Sequence, residues 1–177
     1  MSARVIAIAT VLAATMVVGA CSTPTNTRYV ATPPPNDASF RGVAQVLVHH
    51  CGSLDCHGTP QRNLRIYGNE GLRRAAGDVP YFRRDAGSDD AGVHGTSDAE
   101  INEDYLSIIA LEPELISAVF AEGGARPERL TLVRKARGQE AHKGDAPIKQ
   151  GDDSDTCITS WLAGKPDTAA CTRGLTP

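Results

Sequence analysis

The stretch Ser39-Phe40-Arg41-Gly42-Val43-Ala44-Gln45-Val46-Leu47-Val48-His49-His50-Cys51-Gly52-Ser53-Leu54-Asp55-Cys56-His57-Gly58 decides how this chain folds. Phe40, Val43, Ala44, Leu47, Val48 and Cys51 recur at i, i+3, i+4, i+7, i+8 and i+11, one apolar face at the helical period. Asp37 or Ser39 supplies the cap that starts this helix. The helix carries Cys51 to the core side and ends on His49 and His50, side chains that suit the negative end of the helix dipole. Beyond Gly52 a second thiol, an imidazole and a glycine follow at once as Cys56-His57-Gly58. The reading therefore expects a reactive cluster delivered to an apolar interior by a helix.

Working outward toward the C-terminus, the pattern stays helical with long interruptions. Thr59-Pro60-Gln61-Arg62-Asn63 is turn-rich, and Leu64 and Ile66 alternate with Arg65 and Tyr67 as in a short extended piece. Residues 69–76 suit one or two helical turns. Pro80 to Ser97 reads as loop: Asp85, Asp89 and Asp90 lack the glycine turn and terminal glutamate of a calcium loop, and His94 is expected to be exposed. Ser97 or Asp98, with Glu100, starts a helix whose face is Ile101, Tyr105, Ile108 and Ile109. Pro113 suits the first turn of a second helix, lined by Leu115, Ile116, Val119 and Phe120 and ended by Gly123-Gly124. The two helices are expected to pack as a pair. A short helix or strand at 127–136 buries Leu130, Leu132 and Val133, and the glycine-flanked loop 138–148 presents His142. Asp152 or Asp153 caps a last helix with Cys157, Ile158, Trp161 and Leu162 on one side, stopped by Gly164 and Pro166. Cys171 lies in a tail able to fold back on Cys157.

The N-terminal end has a different character. A single early charge, Arg4, precedes the apolar run from Val5 to Val18, too short for a spanning helix and followed by polar sequence, which reads as a secretory signal over 1–20. Val18-Gly19-Ala20-Cys21 resembles a bacterial lipobox. That resemblance implies acylation of Cys21, a lipid anchor in the bacterial cell envelope and, with Ser22 next, the outer membrane facing the periplasm. Residues 21–37, rich in Ser, Thr and Pro and including Pro33-Pro34-Pro35, read as a flexible linker forming an extended spacer. One domain, 38–177, follows. Formal charge is −3 for the whole chain and −4 once Arg4 is removed with the signal. No basic stripe is present to release counterions, so nucleic acid is excluded as a partner.

The chemistry sits in the cysteines and histidines. There is no Ser/His/Asp set, no paired carboxylates in helical register and no phosphate-cradling loop, so the chain reads as a carrier and not an enzyme. A Cys-x-x-Cys-His run is a haem attachment signal, with the thiols adding to the vinyl groups and the histidine binding iron. Here the gap between Cys51 and Cys56 is four residues. The only methionines, Met1 and Met16, lie in the signal, so a Met-ligated iron is excluded in the mature domain and His142 is the leading second ligand.

Pro127-Glu128-Arg129-Leu130-Thr131-Leu132-Val133-Arg134-Lys135-Ala136, Ala141-His142-Lys143-Gly144 and Ile158-Thr159-Ser160-Trp161-Leu162, taken with Cys56-His57-Gly58, resemble a c-type cytochrome-like family. In that family a Cys-x-x-Cys-His-Gly stretch precedes a Pro-Glu segment, a His-x-Gly loop and a final Trp-bearing helix. The resemblance covers about 38–68 and 127–163; residues 69–126 match nothing. It implies a small cytochrome c-like helical domain with covalent haem c. Cys51 and Cys56 are then the thioether positions, with Ser53 where the first cysteine usually stands. His57 becomes the proximal iron ligand and His142 the distal one.

Three arrangements of the widened motif follow. Both cysteines attach haem and leave Cys157 and Cys171 to pair with each other; or Cys56 alone attaches, freeing Cys51 for a disulfide; or no haem is held and Cys51–Cys56 and Cys157–Cys171 are disulfides. Zinc on Cys51, Cys56, His57 and His142 has suitable ligand types, but an oxidising compartment disfavours it. The expected function is single-electron transfer between redox partner proteins of the cell envelope, with the protein held at the membrane by its N-terminal lipid. The competing reading is a cofactor-free, disulfide-stapled structural or interaction lipoprotein.

Overall fold

Asp37 starts the first helix, its carboxylate accepting the Ser39 N–H at 2.8 Å. In the computed structural model, which describes residues 32–74 and 95–176, that helix is α1, Ala38–Cys51. Phe40, Val43, Ala44, Leu47, Val48 and Cys51 are all buried, as their period requires, and Val46 joins them. A helix of this length is marginal alone in water, and three valines weaken it further. Burying Phe40, Val43, Val46 and Leu47, at ~1.5–3 kcal/mol per side chain, is what holds it.

The described residues are mostly helical, with long loops and no strand. After α1 come α2 (Asp98–Ile109), α3 (Pro113–Ala121), a 3-10 turn (Pro127–Arg129), α4 (Thr131–Ala136), α5 (Asp153–Leu162) and α6 (Thr168–Arg173). Ser97 closes a capping box with Glu100 at the start of α2, and Pro113 occupies the first turn of α3. Asp152 caps α5 through the Asp155 N–H. The principal neighbours of α1 are α2, α5 and α6, while α3 lies on α5. The expected α2–α3 pair is therefore replaced by separate docking of each helix.

Three local expectations are corrected. Residues 69–74 are not helical: the segment turns back on itself, Tyr67 bridging Leu72, and 75–76 lie outside the described residues. Leu64 and Ile66 are buried between exposed or half-exposed neighbours, but the piece has no strand partner beyond that single bridge. The tail after Gly164 is helical, with Asp167 capping α6. Cys171 on α6 is bonded to Cys157 on α5, and closing a loop of this length stabilises by ~3 kcal/mol in the chain-entropy model.

The end of the expected spacer is docked as well. Pro34 is buried; its carbonyl accepts the Tyr105 hydroxyl at 2.8 Å, and the Pro35 carbonyl accepts Trp161 Nε1–H at 3.2 Å. Phe40 packs beneath, edge-on to Tyr105 and tilted against Trp161, with ring centres 5.3 and 5.1 Å away. Two amphipathic aromatic tips thus satisfy backbone carbonyls that proline-rich chain leaves free. The signal, Cys21, residues 22–31, Asp85, Asp89, Asp90 and His94 lie outside the described residues. No described helix is long and apolar enough to cross a membrane.

Two carboxyls are buried on α2. Glu100 is saturated by Ser97 N–H and Oγ–H, Arg73 Nε–H and Arg74 N–H. Asp104, also fully buried, accepts only the Tyr67 N–H at 2.7 Å, and its second oxygen has no hydrogen-bond partner. Burial pushes the Asp104 carboxyl up to about 8, with the negative charge of Glu100 adding to the rise against the Tyr67 bond. Because the folded value is raised, the neutral form's stabilisation is complete below pH ~4 and is lost as pH rises toward 8. Asp104→Asn should flatten this decline and raise stability at pH 8–9 by about 1–3 kcal/mol, leaving it unchanged at pH 3. Thermal melts across pH check it; parallel curves for the two proteins would refute it.

Candidate functional site

The chain after α1 is pinned into a closed loop. The His57 N–H donates to the Cys51 carbonyl at 2.9 Å, and the His57 carbonyl accepts the Ile66 N–H at 2.9 Å. Gly58 makes this closure possible, since a Cβ there would sit 1.8 Å from the Gly52 carbonyl oxygen. Arg62 ties the outside of the loop, Nε donating to the Cys56 carbonyl at 3.1 Å.

His57 is fixed by its side chain too. Nδ1 lies 2.9 Å from the Leu64 carbonyl. A carbonyl only accepts, so Nδ1 carries the proton and Nε2 keeps its lone pair. Burial holds the imidazole below its usual pKa, although the bond to Leu64 pulls the other way; His142 and Arg62 lower it slightly further. The neutral ring with a free Nε2 is the form that binds a metal.

His142 arrives from the segment between α4 and α5. The base of that segment is clamped by Arg137, at the end of α4, whose Nε and Nη2 donate to the two Asp155 carboxylate oxygens at 2.7 and 2.9 Å. Lys135 Nζ donates to the Ala141 carbonyl at 3.0 Å, and Ile148 N–H to the Ala136 carbonyl at 3.1 Å. Gly144 leaves room for the ring, because a Cβ there would lie 3.2 Å from His142 Cε1. The outcome is that His57 and His142 face one another with ring centres 5.8 Å apart and planes 17° from parallel. His142 Nδ1 is buried and has no hydrogen-bond partner.

The two imidazoles line a cleft of about 380 Å³, within the range of small-molecule sites. Cys51, Leu64 and Ala136 form buried parts of its wall, Leu111, Leu132 and Pro147 add apolar surface, and Gln61, Arg62 and Asn63 make an exposed rim. The structure thus brings Cys51, His57 and His142 together. Cys56 is partly exposed and does not line the cleft. Neither Cys51 nor Cys56 is in a disulfide, so the arrangements that pair either of them are not present. The Cys51 thiol is pushed up to about 12 by burial, and the neighbouring Cys56 adds to the rise; it is the neutral S–H form. His50 binds Ser154 Oγ at 3.0 Å and the Gly174 carbonyl at 3.1 Å, a structural tie from α1 to α6. His49 lies 3.3 Å from Glu70. Both stay outside the cleft.

Not every wall residue was placed by the sequence. Leu111 comes from the region that matched nothing, and Leu132 was expected in the core, whereas it is half-buried on the cleft. Arg137 and Asp155 were not singled out either; the pair is buried on both sides.

The donor set can be weighed for a metal. Among the described residues no group of three or more His, Cys, Asp or Glu side chains could hold an ion, which removes support for the four-residue zinc arrangement. Two imidazoles suffice where a porphyrin supplies the other four nitrogens. His57 and His142, stacked with ring centres 5.8 Å apart, are the two residues that would hold such a group. Compared with known proteins, the chain matches no family model, no curated protein and no solved structure.

Proposed function

We propose that the domain is a one-electron carrier holding covalent haem c in the cleft, tethered to the bacterial envelope by lipid on Cys21 and facing the periplasm. The observation that carries this reading is the convergence of His57 and His142, 5.8 Å apart, on a largely apolar cleft with a cysteine in its wall. When bound, the haem supplies reversible one-electron chemistry at its iron, at a lower potential with two histidines than with histidine and methionine. The protein's part is to bind and orient. His57 is aimed by the Leu64 carbonyl, which also sharpens the basicity of Nε2. His142 would be the second ligand, on a segment whose base is clamped by the Arg137–Asp155 pair. Leu64, Leu111, Leu132 and Pro147 supply the apolar lining that would exclude water from a bound haem, and Arg62 adds positive charge at the rim. With no substrate machinery in the cleft, electrons pass to and from partner proteins and not into a bound reactant.

The test is a spectrum. Exported to the periplasm alongside a haem-attachment system, the protein should be red, low-spin, and keep its haem through acid–acetone extraction. A colourless product in which Cys51 and Cys56 both react with iodoacetamide would favour the cofactor-free lipoprotein.

A further inference from the structure

We infer that haem is stitched to this chain by one thioether bond, at Cys51, and that Cys56 remains a free thiol. The inference rests on the haem reading and refines it. Of the two cysteines, Cys51 alone lines the cleft that His57 and His142 share, and it is 8% exposed at the end of α1. Cys56 is half-exposed and absent from the cleft lining; it follows a loop whose Leu54 is 67% exposed, and its carbonyl accepts Arg62 Nε–H.

The backbone explains why the extra residues have this effect. Gly52 continues α1, its N–H donating to the Val48 carbonyl, and the His57 N–H closes directly on the Cys51 carbonyl. Cys51 is thereby brought beside the ligand histidine, and the residues added between the cysteines are taken up as turns, with Cys56 N–H and Gly58 N–H both donating to the Ser53 carbonyl. Gly58 and Gly71 both pack against the Gly52 carbonyl too closely for any side chain, which fixes the backbone at the base of this loop.

The bond-forming step is redox-neutral. Cys51 Sγ adds across one vinyl C=C, a C–S bond replaces the π bond, and the thiol proton ends on the terminal carbon as part of a methyl group. The second vinyl is left intact.

The experiment compares wild type, Cys51→Ala and Cys56→Ala, each exported full-length with a haem-attachment system. Cys56→Ala should retain extraction-resistant haem at the wild-type level, and Cys51→Ala should lose all of it. In wild type, denatured without reduction, iodoacetamide should modify Cys56 and not Cys51, as fragment mass spectra will assign. The reduced pyridine complex should absorb between the positions for two free and two saturated vinyl groups. If Cys51→Ala fails to fold by circular dichroism, the wild-type alkylation decides alone. Loss of haem from Cys56→Ala, retention by Cys51→Ala, or protection of Cys56 would overturn the single-bond assignment while leaving the haem reading intact. Wild-type protein with no haem and two alkylated thiols would instead remove the haem reading itself.

Discussion

Asp155→Ala is expected to destabilise the domain by about 3–5 kcal/mol, because it strands a buried guanidinium. The Arg137 and Asp155 side chains are only 6% and 9% exposed, and the two hydrogen bonds between them are parallel and charge-assisted. Asp155 also accepts the Gly151 N–H at 2.8 Å, so its loss orphans a turn as well as a charge. The pair spans the two ends of the segment that presents His142. Its failure should therefore release that histidine before the core of α1 and α5 is affected. Asp155→Asn, which keeps the oxygen and surrenders the charge, should cost less. Replacing both partners together, Arg137→Met with Asp155→Leu, should recover part of the loss, since no unpaired charge remains. Urea denaturation reads all three as shifts in midpoint at constant slope. A change under 1 kcal/mol for Asp155→Ala would mean the guanidinium finds water, and the clamp would have to be abandoned.

How much of this was legible beforehand follows from how far each cause reaches along the chain. The α1 face was readable because burial at Phe40, Val43, Leu47 and Cys51 repeats within one helix. The caps at Asp37, Ser97 and Asp152 are contacts over two or three residues, and their residue types announce them. The segment after Gly68 misled because Gly71 is used for a close approach to the Gly52 carbonyl, a contact no local window contains. The α6 cap, Asp167, was readable in principle but was hidden behind the stop signals Gly164 and Pro166.

The docked prolines make the same point from the other side. Their composition is that of a solvated spacer, and only the distant Tyr105 and Trp161 turn it into part of the fold. The cleft lies in between. Its histidines were visible as chemistry, while its wall draws Leu111, Leu132 and Pro147 from separate elements with no shared motif.

His142→Ala should divide stability from spectrum more sharply than any other substitution. In the cofactor-free chain His142 Nδ1 has no hydrogen-bond partner, so removing the ring forfeits little and relieves one buried polar atom. Melting of the haem-free protein should move by no more than a degree or two in either direction. In the proposed haem form the same change would remove one of the two histidines that hold the iron. The covalent bond at Cys51 and the His57 ligand are untouched, so the protein should stay red and resist extraction while its low-spin signal converts wholly to high-spin. Added imidazole should restore the low-spin form, since the cleft then offers the volume of the missing ring. Gly144→Ala provides a graded version, for its Cβ would press on His142 Cε1 from 3.2 Å and should weaken the ligand without deleting it. An unchanged spin state in His142→Ala would strike this residue from the ligand set, and the near-parallel rings of His57 and His142 would then need another cause.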